Sequence, residues 1–469
     1  MRKEVVVVAA LSATAVAIAV GVAVRCWKRK DERRWRKSQR ILRRFATKCA
    51  TPVPKLWLVA DALVADMDSS LSSTSPPTTT TLDMLIAYTN SLPTGEEKGL
   101  FYGVNLRGAN FLIVRARLGG RKESITELQR EEISIPPNVI AGSTQELFNY
   151  IALELAKFTS THAENSNDTK LGFTVSYPVE QAEVSDTNAI KWKSLSADDK
   201  VEFVGKDLVN ELNQALEKNG VNMRAVQLVN DTVGDLAGGR YYKNESVAAI
   251  TLGMSTNAAY VEPAQSVSKW QGSSPEEGEM VLDMEWGDFN ASCLPLISGM
   301  YLGEIVRRVL LKMAQEAALF GDDMPPKLKT PYLLRSPDIA AMHQDTSEDH
   351  DVVAEKLKEI FEITSTTPMA REIVSEVCDV VAERGARLAG AGIVGILKKL
   401  GRIETRKSVV TVEGGLYEHY RLFRNYVHSS VWEMLGNDLS DNVIIEHSRG
   451  GSGAGALFLA ASQTYNSDI

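Results

Sequence analysis

Cysteine is scarce and scattered in this chain of 469 residues. Its four cysteines, Cys26, Cys49, Cys293 and Cys378, stand far apart, with no Cys-x-x-Cys pair and no histidine at ligand spacing. This pattern excludes a disulfide framework and a zinc site, and no metal ligands are predicted. An excess of positive charge is also lacking, because the formal net charge is −8. Since an acidic surface repels phosphate, the chain is not predicted to bind nucleic acid.

Long apolar runs are absent except at the start of the chain. Residues 5–24 are uncharged and apolar or small, and a dense basic stretch follows over residues 25–40. The run has about the twenty residues needed to cross a bilayer. Basic flanks resist translocation, so residues 1–24 are predicted to be a single-pass anchor with the rest of the chain in the cytosol. A cleavable signal peptide is the weaker interpretation, because a signal core is usually shorter.

The basic segment over residues 25–46 has apolar side chains at helical spacing, Ile41, Leu42 and Phe45. This spacing predicts a short helix that lies against anionic lipid or stays solvated. Beyond it, periodicity predicts a helix over residues 47–67, and the Ser/Thr/Pro-rich residues 69–81 predict a flexible loop.

The remaining length is too great for one compact core, which predicts two lobes. Strands are predicted over residues 101–104, 111–118, 134–136, 171–177, 226–229, 247–252, 280–284, 408–412 and 443–445. Helices are predicted over residues 144–158, 299–318, 351–361 and 370–400. Strands interrupted by helices in both halves predict an α/β protein, with a ligand in the cleft between its lobes.

One short string combines a strand with chemically useful side chains. Residues 228–233 read Leu-Val-Asn-Asp-Thr-Val, an apolar run that ends in a carboxylate and a hydroxyl. Such a carboxylate can act as a general base. The alternative for Asp231 is a turn or N-cap carboxylate, because Asp before Thr commonly starts a helix.

An ordered set of longer strings resembles the hexokinase family. These strings are Ile297-Ser298-Gly299-Met300-Tyr301-Leu302-Gly303-Glu304, Glu383-Arg384-Gly385-Ala386-Arg387-Leu388, Glu413-Gly414-Gly415-Leu416-Tyr417-Glu418-His419-Tyr420 and His447-Ser448-Arg449-Gly450-Gly451-Ser452-Gly453-Ala454-Gly455-Ala456-Leu457. The resemblance covers residues 56–461 and extends to the membrane-anchored plant type. It implies the two-lobed actin-like ATPase (ribonuclease H-like) fold, with residues 47–230 as the small lobe and 231–469 as the large lobe and C-terminal helix. The implied reaction transfers the γ-phosphoryl group of Mg-ATP to the 6-hydroxyl of glucose or a related hexose.

The resemblance also assigns roles to individual residues. Asp231 matches the catalytic base that takes the proton of the 6-hydroxyl. The matching sugar ligands are Ser176, Asn230, Asn257 and Glu285. The matching phosphate and nucleotide residues are Asn105, Gly108, Asn110, Gly253, Ser255, Glu413, Gly414, Gly415, Gly451, Ser452 and Gly453. The turn over residues 450–455 either opens a helix toward the nucleotide or serves as a packing turn.

Several of these loops depart from the family pattern. The first phosphate loop, Asp-Leu-Gly-Gly-Thr-Asn-Phe-Arg in the family, here reads Asn105-Leu106-Arg107-Gly108-Ala109-Asn110-Phe111-Leu112. The second, Leu-Gly-Thr-Gly-Thr-Asn, here reads Leu252-Gly253-Met254-Ser255-Thr256-Asn257. The sugar-binding Trp-Thr-Lys is replaced by Trp192-Lys193-Ser194. A family segment with a sugar-binding Glu is missing between Leu296 and Ile297.

These departures predict an impaired or inactive kinase that acts as a membrane-tethered glucose-binding or regulatory protein. Loss of one preorganised donor costs about 10²–10³ in rate, and Asn105, Arg107, Ala109 and Met254 each remove or obstruct a phosphate or magnesium contact. The expected location is the mitochondrial outer membrane or, alternatively, the plastid outer envelope, with protein partners at its surface. The alternative function is an active ATP:hexose 6-phosphotransferase that feeds glycolysis with altered substrate preference. An omission in the gene model would explain the missing segment alone.

Overall fold

The chain forms two compact units. The computed structural model describes residues 29–72, 82–88, 92–161, 169–176, 179–184, 187–192, 208–270, 278–288, 297–449 and 453–465. One unit joins Met300–Arg384 to the described part of the first fifty residues, and the other joins Thr51–Gly299 to Gly385–Ile469. The expected lobe boundary between residues 230 and 231 stays a prediction.

The described strands form three sheets. In chain order they are β1 (Leu85–Tyr88), β2 (Lys98–Arg107), β3 (Asn110–Gly119), β4 (Thr126–Ser134), β5 (Thr169–Val175), β6 (Val179–Val184), β7 (Thr187–Trp192), β8 (Met223–Asn230), β9 (Ser246–Leu252), β10 (Thr256–Pro263), β11 (Glu279–Asp283), β12 (Ser408–Glu413) and β13 (Val443–His447). The five-stranded sheet has the order β4-β3-β2-β5-β8, the six-stranded sheet has the order β1-β11-β10-β9-β12-β13, and β6 pairs with β7.

The two larger sheets repeat one arrangement. In the first, β2 pairs antiparallel with β3 and parallel with β5, which pairs parallel with β8. In the second, β9 pairs antiparallel with β10 and parallel with β12, which pairs parallel with β13. The central parallel strands β5, β9 and β12 are mostly buried, as apolar runs covered on both faces should be. Each sheet therefore brings the carboxyl ends of three parallel strands to one edge.

Helices cover these sheets and build the other unit. They are α1 (residues 29–49), α2 (Val53–Leu71), α3 (Pro137–Ile140), α4 (Thr144–Thr161), α5 (Leu208–Lys218), α6 (Asp231–Tyr242), α7 (Gly299–Ala317), α8 (Ser336–His343), α9 (Asp351–Phe361), α10 (Pro368–Lys399), α11 (Gly415–Glu418), α12 (Arg421–Ser440) and α13 (Gly455–Tyr465). One core lies between the five-stranded sheet and helices α4 and α5. Another contains α6, α13 and strands from both large sheets.

Two helices replace the single one predicted over residues 47–67. The predicted start is wrong, because Pro52 is the N-cap residue of α2 and a further proline lies in its first turn. Proline is favoured there because the first turn needs no backbone donor. The helix continues to Leu71, three residues into the predicted loop, and residues 73–81 of that loop lie outside the described part of the chain.

Helix α1 belongs to the unit that contains Met300–Arg384. Leu42, predicted to face lipid or solvent, is only 4% exposed, so that prediction is wrong for this side chain. Lys30 and Arg34 on α1 pair with Asp322 at 2.5 and 2.7 Å. Helix α1 packs on its unit because its apolar side chains face the core of that unit, while most of its charged side chains face outward.

The predicted strand over residues 134–136 is also misplaced, because β4 ends at Ser134. This strand lies at a sheet edge and is mostly exposed, so its sequence lacks the alternation that reveals a half-buried strand. Among the described residues, no helix is long and apolar enough to span a bilayer. The predicted anchor over residues 1–24 falls outside those residues.

Candidate functional site

Two predicted site residues, Ser176 and Asn230, meet Arg107 at the edge of the five-stranded sheet where the parallel strands end. Arg107 ends β2, Ser176 follows β5, and Asn230 ends β8. The register pairs Leu106 with Val175 and Val175 with Asn230, so these ends lie side by side. The carboxyl edge of parallel strands is the usual position of a ligand site in α/β proteins.

Asp231 is the first residue of α6, and its carboxylate is not the helix cap. Asn230 fills that role, because its Oδ1 accepts a hydrogen bond from the Thr232 backbone N at 2.8 Å. The cap alternative raised for Asp231 therefore applies to its neighbour. A carboxylate in the first turn is stabilised by the helix dipole.

The Asp231 carboxylate is held by the neighbouring strand end. Ser176 Oγ donates to Asp231 Oδ2 at 2.5 Å. Burial raises the pKa of Asp231, while the Ser176 hydrogen bond and the Arg107 charge act to lower it. A carboxylate with a raised pKa at the end of a strand can accept a proton from a hydroxyl group.

The predicted sugar ligands Asn257 and Glu285 come together on β10 and just after β11. The register pairs Ala259 with Asp283, which places Asn257 opposite Glu285. Asn257 Nδ2 donates to Asp283 Oδ1 at 2.7 Å, to Glu285 Oε1 at 3.1 Å and to Asn230 Oδ1 at 3.5 Å. This amide therefore joins predicted sugar-ligand residues of both sheets.

Glu285 is held in an unusual backbone conformation, with φ of +49°. Non-glycine residues with positive φ are uncommon and cluster at functional sites. The next residue, Trp286, is fully buried and its Nε1 donates to Thr256 Oγ1 at 2.8 Å. This bond fixes the turn after β11 to the start of β10.

Asp283 is a buried carboxyl group that sequence reasoning missed. Burial, together with the nearby Asp231 charge, raises its pKa to about 7, although hydrogen bonds from Asn257 and Glu285 oppose the shift. The available signal was an acidic residue at the end of an otherwise apolar strand, two positions before Glu285. Such a residue is costly to bury without a partner.

The first phosphate loop is a tight hairpin between β2 and β3. Its register pairs Arg107 with Asn110, which leaves only Gly108 and Ala109 in the turn. Gly108 has φ of +57°, which glycine adopts without strain. Asn110 Nδ2 donates to Glu132 Oε1 on β4 at 3.3 Å.

Arg107 folds back along its own strand. Its Nε donates to Oδ1 of Asn105 at 3.1 Å, and Asn105 is buried. Side chains two residues apart on a strand share a face, which allows this contact. The guanidinium group therefore lies beside the residue that replaces the family aspartate.

The second phosphate loop and the Glu413-Gly414-Gly415 turn are in contact. Gly414 has φ of +110°, and a Cβ there would lie 2.5 Å from the Leu252 carbonyl group. Only glycine permits this approach. Gly253 N donates to Ser255 O at 3.0 Å, and Met254 between them is 66% exposed.

The turn before α13 meets the first phosphate loop. A Cβ on Gly453 would lie 3.2 Å from Arg107 Nη2 and 3.3 Å from Asn105 Cβ. The alternative that this turn serves packing is also supported, because a Cβ on Gly455 would lie 2.3 Å from Gly234 on α6. Gly451 and Ser452 lie outside the described residues.

Asp235 is a second functional candidate that the sequence interpretation missed. It lies one turn after Asp231 on α6, a spacing that puts both carboxyl groups on one helix face. Its pKa is raised well above the ordinary value by burial, then by the charges of Glu413 and Asp231, whereas the Arg107 charge lowers it. Ser448 Oγ donates to Asp235 Oδ1 at 3.4 Å.

Magnesium, which the resemblance implies, does not fit these groups. Mg²⁺ is usually held by one or two carboxylates together with substrate phosphates. Here Asn105 offers an amide in place of a carboxylate, and the Arg107 charge already acts on Asp231 and Asp235. Within the described part of the chain, no three His, Cys, Asp or Glu side chains are grouped to hold a metal ion. A divalent cation would have to enter beside a fixed positive charge.

Two sheets of one strand order, with loops gathered at their carboxyl edges, define the class of two-lobed ATPase folds. Hexokinase family models match residues 41–241, 247–297 and 295–462. The chain is 46% identical to hexokinase-1 of Spinacia oleracea, covering 99% of this chain and 98% of the relative. It is 46% identical to hexokinase-1 of Arabidopsis thaliana, covering 98% of each. The chain belongs to the hexokinase family.

Solved structures agree with this assignment. A hexokinase from Schistosoma mansoni in complex with glucose is 28% identical, with a TM-score of 0.78, and covers 92% of this chain and 99% of its own. A second hexokinase structure, 23% identical with a TM-score of 0.77, covers 91% and 100% and shows the fold alone. The two-lobed α/β hexokinase fold predicted from the sequence is confirmed.

The family match is interrupted where a segment was predicted to be missing. One family model matches in two stretches, 247–297 and 295–462, which meet at the junction of Leu296 and Ile297. The alignment to the spinach relative spans 497 positions, more than the 469 residues of this chain. Both findings are what an omitted internal segment would produce.

Proposed function

We propose that this chain binds a hexose, transfers phosphate to it slowly or not at all, and acts as a hexose-responsive regulatory protein. The observation that carries the proposal is Arg107, whose side chain lies against Asn105 in the first phosphate loop. The family reaction, transfer from ATP to the 6-hydroxyl of a hexose, is the activity that these two residues impair.

The sugar side of the site retains groups that can bind a hexose. The Asn257 amide donates to the Glu285 carboxylate at 3.1 Å. The same amide also donates to Asn230 Oδ1. Buried, mutually hydrogen-bonded polar groups of this kind discriminate strongly for a ligand that replaces their contacts. Asp231 is placed to hold or accept the proton of a hydroxyl, with Ser176 orienting its carboxylate.

The phosphate side lacks what transfer requires. Phosphoryl transfer depends on positioned donors and cations around the moving group. Ala109 and Met254 have no hydroxyl group, and the Arg107 side chain lies against Asn105 in the first phosphate loop. Each lost donor costs about 10²–10³ in rate, although losses within one site are not additive. We therefore expect the chain to bind a hexose without transferring phosphate to it efficiently.

An active kinase with altered hexose preference is the second candidate. The bond between Ser176 Oγ and Asp231 Oδ2 favours it, because the general base is present and oriented. In this case, the Arg107 guanidinium would serve as a phosphate contact, a role for which arginine is well suited.

We further propose attachment to an outer organelle membrane, mitochondrial or alternatively plastid, through the apolar residues 5–24. The motivation is the length of that run and the basic residues after it. Fractionation of cells that express the full chain and a chain lacking residues 1–24 tests this, and an unchanged membrane fraction would contradict it.

The functional proposal is tested with the full chain in detergent, by calorimetric titration with glucose and by ATP-dependent formation of hexose 6-phosphate. Asp231→Ala removes the base, and Asp323→Ala removes an exposed aspartate as the matched control. We expect glucose binding in all three proteins and turnover far below the roughly 1–100 s⁻¹ of kinases. Turnover in that range, lost only in Asp231→Ala, would establish the second candidate. Failure to bind glucose would contradict the proposal.

A further inference from the structure

Arg107 lies where its own hairpin meets the turn before α13, which comes from a distant part of the sequence. Its Nε contacts Asn105 at 3.1 Å, and its Nη2 lies 3.2 Å from the Cβ position of Gly453. Asn105 is only 2% exposed, so the amide that accepts the hydrogen bond from Arg107 is buried. The guanidinium group is therefore held in place at the edge of the site.

The charge of Arg107 also acts on carboxyl groups of a further element, helix α6. Asp231 and Asp235 lie one turn apart on α6, and the charge of Glu413, at the end of β12, acts on Asp235. The positive charge of Arg107 acts on both aspartates. The charge of one fixed cation thus acts on two carboxyl groups of a single helix face.

A fixed guanidinium and a divalent cation would compete for this position. Each would interact with the same carboxylates, and each would repel the other at short range in a partly buried site. Because the arginine is part of the chain, its binding to these groups carries no entropy cost of association, whereas a free cation must lose translational freedom. Its planar group can also bind two phosphate oxygens at once.

We propose that Arg107 takes the place of the divalent cation, so that this chain binds a nucleoside triphosphate in its metal-free form. The inference rests on the proposed function, because the nucleotide is the second ligand of the same fold. It goes further in naming the ligand form and the residue that selects it.

The test measures binding of the non-hydrolysable ATP analogue adenylyl imidodiphosphate to the full chain in detergent, by calorimetry, with either EDTA or excess Mg²⁺. Arg107→Gln removes the charge and keeps much of the side-chain volume, and Arg107→Gly restores the family residue. Arg130→Gln is the matched control, because burial and then the Arg107 charge lower the pKa of Arg130, which marks it as a neighbouring cation.

We expect the wild-type chain and Arg130→Gln to bind the analogue with similar affinity in EDTA and in Mg²⁺. Both Arg107 variants should lose about tenfold or more in EDTA, the effect of one charge-assisted bidentate contact. Arg107→Gly should regain affinity when Mg²⁺ is added, because the repelling charge is gone.

Three results would overturn the inference. These are a wild-type chain that binds only with Mg²⁺, an Arg107→Gln variant that binds like wild type in EDTA, or no binding of the analogue under either condition. A glucose titration of the same samples separates this failure from failure of the proposed function, since it reports the hexose site alone.

Discussion

Ser176 Oγ lies 2.5 Å from Asp231 Oδ2, joining the ends of two parallel strands through one hydrogen bond. The hydroxyl donates, so the carboxylate oxygen that would receive a substrate proton already has a partner. A hexose hydroxyl must replace or share that contact. Ser176 thus both orients the base and sets its affinity for a proton.

Ser176→Ala should shift the pH dependence of any residual phosphate transfer. The Ser176 hydrogen bond lowers the pKa of Asp231, so its removal raises that pKa. A general base must be deprotonated, and the acidic limb of kcat/KM then moves to higher pH. A radiolabelled phosphate-transfer assay across pH 5–8 measures the limb. Ser176→Thr keeps a hydroxyl and is the control, and a limb in the same place for both variants would contradict the role.

Reversal of the first phosphate loop should restore transfer only when both residues change. In Asn105→Asp alone, the new carboxylate would pair with Arg107 at the present 3.1 Å contact, so the rate should rise little. Asn105→Asp with Arg107→Gly removes that pairing, and we expect a gain of about 10² or more. A coupled hexose 6-phosphate assay measures both proteins. Equal rates in the single and double variants would show that Arg107 does not obstruct the loop.

The sequence predicted most core strands because their residues are apolar. Residues 247–252 and 408–412 fall within β9 and β12, whose buried runs need no alternation to be recognised. The strand β10 was missed, since its first residues Thr256 and Asn257 were interpreted only as part of a phosphate loop. The edge strand β4 was misplaced because its polar residues carry no period.

The site was predicted as far as single residues can reveal it. Asn230, Asn257 and Glu285 stand in recognisable strings, and the structure joins them through the Asn257 amide, while Asp231 is hydrogen-bonded to Ser176. Asp283 and Asp235 were missed because their importance comes from burial beside carboxyl groups remote in sequence. The contact of Arg107 with Asn105 likewise depends on a hairpin register that the sequence alone does not give.

Asp283→Asn should stabilise the fold at neutral pH more than at acidic pH. The pKa of Asp283 is about 7 in the folded chain, above the ordinary value of 3.8. Between these values the folded chain keeps a proton that the unfolded chain has lost, so stability falls as pH rises through this window. Above pH 7, Asp283 is ionised in both the folded and the unfolded chain, and the full destabilisation from its buried charge is present.

Asparagine has no proton to lose and can still accept the Asn257 hydrogen bond. The Tm difference between Asp283→Asn and wild type should therefore grow from pH 4 to pH 7 and then level off. Thermal unfolding followed by circular dichroism at pH 4–8 measures it. The other charges near Asp283, those of Asp231 and Glu285, are present in both proteins and largely cancel. A difference independent of pH would contradict the raised pKa.

Leu42→Ala should destabilise the unit formed by α1 and Met300–Arg384. Leu42 is 4% exposed, and truncation of a buried leucine costs about 2–5 kcal/mol in the free energy of unfolding. Leu58→Ala on α2 is the matched control, because Leu58 is 70% exposed and its loss should change stability by about 0.5 kcal/mol or less.

Urea unfolding of the full chain in detergent compares the two variants. A large loss for Leu42→Ala alone would establish α1 as part of the folded unit, as the pairing of Lys30 and Arg34 with Asp322 indicates. Equal, small effects would instead favour the prediction that α1 lies at the membrane surface, with its basic residues facing anionic lipid. The outcome also decides where the chain can be shortened, because removal of residues 1–46 would delete most of α1 together with the proposed anchor.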